Sequence, residues 1–394
     1  ASAPVALTYR TAGESHGPAL FAVVEGLPAG LPLTPDDIDV DLARRQLGYG
    51  RGGRMKIEQD FAEFTSGVRH GRTLGSPLAM WITNRDWVNW TEKMAIDPVG
   101  VEIERVTRLR PGHADLPGAV KYGFDDVRNV LERASARETA ARVAVGGVGK
   151  RLLAEFGLSF RSYTLSIGTV RAPGGKEVDW RAVEGDPVRA ADAAAGEAMV
   201  AAINAAKQDG DTLGGEVEVR VAGVPLGLGS HVQWDRKLDG RIAQAVCSIN
   251  AFKGVGFGAG FEGTAKRGSE VHDVILPADS WEGRPWAHAT NNHGGIEGGI
   301  STGEELVVRA AVKPIPTLAH PLPSVDLDTG AEVMAHYERS DVCVVPAAGV
   351  VAEAMIAIVL ADAWLDKFGG DTLDEVRRNV DSYMAQLGPR QRAS

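Results

Sequence analysis

Two periods organise the apolar residues of this chain. Residues 216–221 alternate charge and valine (Glu216, Val217, Glu218, Val219, Arg220, Val221), which is the period-two pattern of a strand with one buried face. Residues 306–312 read as a second strand, and 19–24, 78–82 and 159–170 carry weaker strand signals. Helical segments are better marked at their ends. Thr34 can cap a helix whose first position is Pro35 and whose first turn holds Asp36 and Asp37, so 35–47 is predicted helical with a stop at Gly48. Ser135 and Glu138 have capping-box spacing, and an apolar stripe through Val143, Val145, Val148, Leu152 and Phe156 extends that helix to Gly157. Further helices are predicted over 188–208, 238–251, 346–367 and 373–387. The segment 346–367 is apolar on nearly every side, which predicts a helix buried between two layers.

Strands and helices alternate irregularly instead of as strict βαβ units, so the pattern predicts an α+β fold over a doubly wound sheet. No Pro- or Ser-rich linker divides the 394 residues, and a single domain over 1–394 is expected. At 44% apolar and 24% charged residues, the composition is that of a soluble globular protein. The formal charge of −10 excludes a general nucleic-acid binder, because phosphate affinity needs excess Lys and Arg. Only Cys247 and Cys343 occur, so no disulfide framework is expected. No basic-then-apolar leader stands out, and the apolar stretch near 350–364 contains Glu353 and Asp362. A cytoplasmic protein without a membrane span is therefore expected.

Polar chemistry concentrates in glycine-rich loops. His16 lies in Thr11-Ala12-Gly13-Glu14-Ser15-His16-Gly17, where the flanking glycine gives its imidazole little steric cover for acid–base work. Arg44, Arg45, Arg51 and Arg54 fall within eleven residues, linked by Gly48, Gly50, Gly52 and Gly53. Guanidinium forks suit phosphate or carboxylate. In Arg108-Leu109-Arg110-Pro111-Gly112-His113-Ala114-Asp115 the Pro-Gly turn displays Arg110 and His113 together, with Asp115 able to orient the imidazole. The helix opening at Ser135 is flanked by Arg133 and Arg137, a ready anion site. Asn291-Asn292-His293-Gly294-Gly295-Ile296-Glu297-Gly298-Gly299-Ile300-Ser301 suggests backbone wrapped against a flat or phosphate-bearing ligand. Lys313-Pro314-Ile315-Pro316-Thr317 stiffens a loop at a strand end, and Glu338-Arg339-Ser340-Asp341 precedes the apolar helix. Basic loops in an acidic chain point to a focused pocket for a small polyanion. His70, His231, His320 and His336 have no such neighbours in sequence and are expected to be structural or surface residues.

Three motif matches lack their required context. Gly48, Gly50 and Gly53 satisfy G-x-G-x-x-G but follow a helix, and Gly258, Gly260 and Gly263 precede no clear helix. An NAD(P)H-dependent flavin oxidoreductase, which such patterns would support, is therefore the weaker alternative. Gly146-Gly147-Val148-Gly149-Lys150 is similar to a P-loop ending, but Ala144 and Arg151 occupy the positions of its first glycine and its hydroxyl residue. An RNA-binding reading of Arg51-Gly52-Gly53-Arg54 lacks aromatic interleaving and positive net charge.

Taken in order, the blocks Gly13–Gly17, Arg44–Arg54, Arg110–Asp115, Arg133-Ala134-Ser135-Ala136-Arg137-Glu138-Thr139, Ser248-Ile249-Asn250-Ala251 with Lys253-Gly254, Gly268-Ser269-Glu270-Val271-His272-Asp273, the glycine block from Asn291, Lys313-Pro314 and the stretch to Asp341 resemble the chorismate synthase family over nearly the whole chain. The sequence departs from the family pattern in lacking an acid within 256–260, and in having Val274 after His272-Asp273 and Val342 after Asp341. The resemblance implies a lyase that removes phosphate and a ring hydrogen from 5-enolpyruvylshikimate 3-phosphate in a 1,4-elimination, using reduced FMN without net oxidation. It implies His16, His113 and Asp341 as catalytic groups. Arg45, Arg51, Arg54, Arg110, Arg137 and Arg339 would hold the substrate. Arg133, Ala134, Ser135, Asn250, Ala251, Gly298, Lys313, Pro314, Ile315, Pro316, Thr317 and Arg339 would hold FMN. No metal is implied. The family's layered β-α-β sandwich, with helices between antiparallel sheets, and its homotetrameric assembly are carried over as expectations. Without an added domain, reduction of the flavin by an outside system is expected over self-reduction with NADPH.

Overall fold

A computed structural model of the chain describes residues 6–52, 59–174, 177–277, 286–338 and 340–388. Strands Thr8–Ala12, Ala19–Glu25, Leu78–Thr83 and Glu63–Ser66, in that spatial order, form one antiparallel sheet. Phe252–Phe257, Leu306–Val312, Gly215–Ala222, Ser159–Ile167 and Val170–Arg171 form a second, also antiparallel. Alternation decides which face each strand buries: Leu20, Ala22 and Val24 point inward, while Phe21 and Val23 stay exposed.

Helices fill the space between the sheets, giving the α+β layering expected. Thr139–Ala154 lies against the first sheet and Val345–Phe368 against the second, and the two pack on each other. Glycine makes that approach possible. A Cβ on Gly146 would stand 2.3 Å from the Cβ of Ala354, and one on Gly147 would stand 2.9 Å from Ile38 Cδ1. The glycines that mimic a P-loop are notches in a helix interface. Val345–Phe368 is long and apolar enough to cross a membrane, yet the apolar part of it is buried throughout. Lack of an amphipathic pattern here reflects contact with protein on every side.

One charged cluster sits inside this layer. Glu353 is fully buried, accepting hydrogen bonds from Arg44 (2.8 and 2.9 Å), Lys150 (2.6 Å) and Ser162 (2.5 Å). Burial opposes its ionisation, but Lys150 and Arg44 outweigh burial and hold the carboxyl far below its usual range. Asp41 also accepts from Arg44 (2.6 Å) and Lys150 (2.7 Å). The cluster pins the last turn of the helix Pro35–Gln46, the turn that carries Arg45.

Most predicted elements are present with shifted ends. The strand over 159–170 stops at Ile167, because Gly168 (φ 55°) turns the chain back into Val170–Arg171. The helix placed over 188–208 begins only at Ala193. Asp186 caps the backbone N–H groups of Val188 and Ala190 (2.9 and 3.0 Å), and Asp192 supplies the true N-cap by accepting from Ala195 (2.8 Å). The helix 238–251 ends at Cys247, and Ala251 takes a left-handed φ of 72°. Ser135 does cap, accepting from Arg137 N (3.3 Å), but Glu138 does not close the box. Its carboxylate takes Arg142 (2.8 and 3.0 Å) and Thr11 (3.1 Å) instead, a charge-assisted choice.

Candidate active site

His113 sits on the turn expected for it. Asp115 opens the helix Asp115–Tyr122 and is fully buried, accepting from His113 Nδ1 (2.5 Å), Arg110 Nε (2.8 Å), Arg110 Nη2 (3.0 Å) and the Arg110 backbone N–H (3.1 Å). Burial opposes ionisation of Asp115, but the hydrogen bonds and charges of His113 and Arg110 hold its carboxyl at about 2. Arg110 also donates from Nη1 to Thr317 Oγ1 (3.3 Å), so its guanidinium braces the His113–Asp115 pair.

His16 is held in a similar way by a residue that sequence reasoning missed. Its Nδ1 donates to both oxygens of Glu132 (2.8 and 3.0 Å), and its backbone N–H donates to the same carboxylate (2.9 Å). Trp90 stacks on the imidazole with ring centroids 3.7 Å apart and 27° between planes. Arg128, one helical turn before Glu132, donates to Oε1 of Glu132 (2.9 Å) and reaches Glu338 with its other terminal nitrogen (3.3 Å). Glu338 lies 3.2 Å from His336 Nε2. The His336 contact is the main influence lowering the Glu338 carboxyl to about 2; burial opposes it, and Arg128, with a smaller contribution from Arg110, adds to it. Glu338 thus extends the His16–Glu132–Arg128 group to His336. His336, expected to be a structural or surface residue, has a charged neighbour in Glu338 two positions on, and Arg128, distant in sequence, reaches the same carboxylate.

Arg45 and Arg137 converge on buried Asp60, donating to its two oxygens at 3.3 and 2.9 Å. Arg45 also donates to Thr139 Oγ1 (3.0 Å) and to the carbonyl of Ala136 (2.9 Å). Arg51 Nε lies 3.4 Å from Asp341, whose other oxygen accepts from Gly52 N (2.5 Å). The glycine loop is thereby tied to the chain just before the central helix. Arg54 and Arg339 lie outside the described residues.

The residues expected to hold a cofactor adjoin these groups. Arg133 donates to the carbonyls of Gly13 and Thr11 (3.0 Å each), and Ser135 Oγ donates to Ser15 Oγ (3.1 Å). Asn250 donates to the carbonyl of Ala134 (2.6 Å), and the carbonyl of Ala251 accepts from Lys313 N (2.9 Å). Lys313 is half-buried, and burial followed by the charge of Lys253 lowers its pKa. No salt bridge to either lysine occurs among the described residues, so an anion here would relieve a local excess of positive charge. The 313–317 stretch passes the His113 turn: a Cβ on Gly112 would stand 3.6 Å from Pro316 and 3.8 Å from Lys313 Nζ. Ile315 anchors the stretch by accepting from Thr212 Oγ1 (2.7 Å). Gly298 stands apart, in the turn between Ile296–Glu297 and Ile300–Thr302. Its neighbour Gly299 accepts from Leu238 N (2.9 Å), so the helix Leu238–Cys247, about 15 Å long at 1.5 Å per residue, separates it from Asn250.

Elsewhere, Asp273, His293 and Glu297 bring metal-type ligand atoms within 4.8 Å of one another. Asp273 already accepts from Thr290 Oγ1 (2.5 Å) and from the backbone N–H groups of Asn292 (2.7 Å) and His293 (2.9 Å), which makes it the clasp between two glycine-rich loops. An apolar cavity of about 560 Å³ lies by Val224, Leu226, Trp286 and Ile300; Glu297, Ile300 and Ser301 of the 291–301 glycine block line it, but none of the residues expected as catalytic, substrate or FMN groups does. Gly258, in the second G-x-G-x-x-G, follows the strand Phe252–Phe257 and leads into the 3-10 turn Gly260–Ala265. The dinucleotide context is therefore absent from this segment. Glu132, Arg128, Trp90 and Asp60 escaped the sequence reading. Arg128 and Glu132, four apart, carried a local signal of an i, i+4 pair; nothing near Asp60 or Trp90 in sequence marked them.

Residues 7–365 match the family model for chorismate synthase. A chorismate synthase of Moorella thermoacetica is 58% identical over 385 residues, spanning 97% of this chain and 99% of its own. That of Geobacter sulfurreducens is 55% identical over 386 residues, with 96% and 98% covered. A chorismate synthase crystal structure superposes with a TM-score of 0.77 at 43% identity, covering 96% of this chain and 97% of that one.

Proposed function

The chain belongs to the chorismate synthase family, and from that premise we propose how its histidine and arginine loops release phosphate from 5-enolpyruvylshikimate 3-phosphate. It is a lyase of that family, and the flavin oxidoreductase alternative is not favoured. In the proposed 1,4-elimination, the C–O bond to phosphate breaks, a ring C–H bond breaks and the diene forms, with no net oxidation. The observation that carries the reading is the pair of histidines, each with Nδ1 on a buried carboxylate that an arginine also holds, Arg128 for Glu132 and Arg110 for Asp115. A histidine donating from Nδ1 to an acid presents Nε2 for proton exchange with a ligand.

His113 would deliver a proton from Nε2 to the departing phosphate, while Asp115 supports the imidazolium charge. His16 would control protonation at the flavin or phosphate edge. Asp341, near Arg51, would act in removing the ring hydrogen. Arg45, Arg51 and Arg137, with Arg54 and Arg339, would bind the phosphate and carboxylates, displacing part of the attraction they now give to Asp60 and Asp341. Arg110 would act through its brace on Asp115 and His113. Reduced FMN, when bound, supplies transient electron density that helps the phosphate leave. Its anionic end fits the positive excess at Lys313 and Lys253, and Arg133, Ala134, Ser135, Asn250, Ala251 and the 313–317 stretch would hold it, with Gly298 at the far end of the intervening helix. No metal enters the reading.

The same reading carries a cytoplasmic homotetramer whose flavin is reduced by an outside system and not by this chain with NADPH. It also carries a single domain over 1–394, supported by one main apolar core that draws on residues from Leu7 to Val376. The test is anaerobic phosphate release from 5-enolpyruvylshikimate 3-phosphate with chemically reduced FMN. Release with reduced FMN and none with oxidised FMN is expected. Turnover with oxidised FMN alone, or none with reduced FMN, overturns the reading.

A further inference from the structure

We infer that Glu132 is the positioning carboxylate of His16, and that the two work as one unit in proton handling at that edge of the site. The inference rests on the proposed role of His16 in the reaction.

Three hydrogen bonds from residue 16 end on this one carboxylate: two contacts from Nδ1 at 2.8 and 3.0 Å, and one from the backbone N–H at 2.9 Å. Its side chain is only 1% exposed. A carboxylate that deep is stable as an anion only when donors surround it. Arg128 provides the balancing charge at 2.9 Å. With an ionised acceptor at Nδ1, that nitrogen keeps its hydrogen in both protonation states of the ring. Proton exchange is then confined to Nε2, which is the role a second carboxylate plays for an acid–base histidine. Trp90 fixes the remaining freedom, since stacking at 3.7 Å sets the ring plane.

His113 is built on the same plan, with Asp115 at 2.5 Å from its Nδ1 and Arg110 balancing the acid at 2.8 Å. The two arrangements differ in origin. Asp115 is two residues from its histidine, whereas Glu132 is 116 away. Arriving at one geometry from local and from long-range sequence argues that the geometry matters to the ligand.

A purely structural role is the competing explanation, because Ser15 N also donates to the Glu132 carbonyl (3.1 Å) and the loop is anchored here. Glu132→Gln separates the two. The amide oxygen can still accept from the His16 backbone, but its NH2 can donate to Nδ1 and allow the other tautomer. Expected for the full-length enzyme with reduced FMN is a fall in kcat of about 10²-fold or more, with substrate KM and FMN affinity within about threefold. Glu132→Asp should recover part of the loss. The double variant Glu132→Gln/His16→Asn should be no slower than His16→Asn alone. Losses that multiply, or equal losses of kcat and FMN affinity, overturn the inference. So does a Glu132→Gln enzyme within threefold of the parent kcat. His16→Asn by itself tests the underlying reading, since parental turnover in that variant would remove His16 from the reaction whatever Glu132 does. If the variants fail to fold, 15N spectra of the histidine-labelled parent decide. An Nδ1–H ring for His16 is expected, and an Nε2–H ring overturns the inference.

Discussion

Replacing Glu353 by Gln removes the anion at the centre of the buried cluster while leaving its volume. Arg44 and Lys150 both lose a charged acceptor, at 2.8 and 2.6 Å, and the new NH2 group must face one of these cations or Ser162. Breaking a buried ion pair by removing one partner costs about 3–5 kcal/mol. The lower end applies here, because Asp41 still accepts from Arg44 and Lys150, and Glu184 still accepts from Arg44 (2.9 Å). With an unfolding entropy of about 2.1 cal/mol/K per residue, the 394-residue chain has about 0.8 kcal/mol/K in total, so a loss of about 3 kcal/mol lowers Tm by about 4 °C. Scanning calorimetry at matched protein concentration measures this. Adding Lys150→Met should restore part of the loss, because the second variant removes a cation left short of acceptors. A Tm change under 1 °C, or a further drop in the double variant, would refute the argument that Glu353 holds these cations. Substrate KM should rise modestly in the single variant, since the cluster fixes the turn that carries Arg45.

Asp115 gives a pH signature. Its carboxyl sits at about 2 against an ordinary 3.8, so the stabilisation is complete above pH 4 and is lost as pH falls through 2. The shift corresponds to about 2 kcal/mol; acid denaturation followed between pH 5 and 2 should be shallower for Asp115→Asn than for the parent, and parallel curves would contradict the assignment. His113→Ala should lower turnover far more than FMN affinity, measured by single-turnover kinetics and flavin fluorescence titration; equal losses would mean that its role is binding. Gly146→Val should destabilise by at least about 2 kcal/mol, because its Cβ alone would stand 2.3 Å from Ala354. Chemical denaturation reads that loss, and an unchanged midpoint would show that the helix interface is looser than described.

What could be read before folding was whatever depends on near neighbours. Thr34 and Pro35 announced a helix start; Asp37 now accepts from Thr34 N (2.7 Å) to close it. The strand 306–312 was legible to the residue as a short valine-rich apolar run, but which of its sides faces the core, alternating over seven positions, came only from the structure. Helix 188–208 was overrun because Val188 and Ala190 are buried around a turn in which Arg189 takes a left-handed φ of 58°, and burial alone does not distinguish such a turn from a helix in sequence.

The same divide runs through the site. His113 and Asp115 are two residues apart, and the Pro-Gly turn between Arg110 and His113 leaves few other ways to place them, so their pairing was visible in sequence. The acids at His16 and at the Arg45–Arg137 pair were not. Glu132 reaches His16 and Asp60 reaches Arg137 only because packing brings segments 116 and 77 residues apart into contact, while Arg45, 15 residues before Asp60, carried no sequence pattern that marked the pairing. Sequence by itself determined the residue types that can carry acid–base and anion chemistry, their order, and the local turns that display them. Tertiary structure decided which carboxylate meets which cation, because a charge withdrawn from water must find a partner wherever the packing puts one.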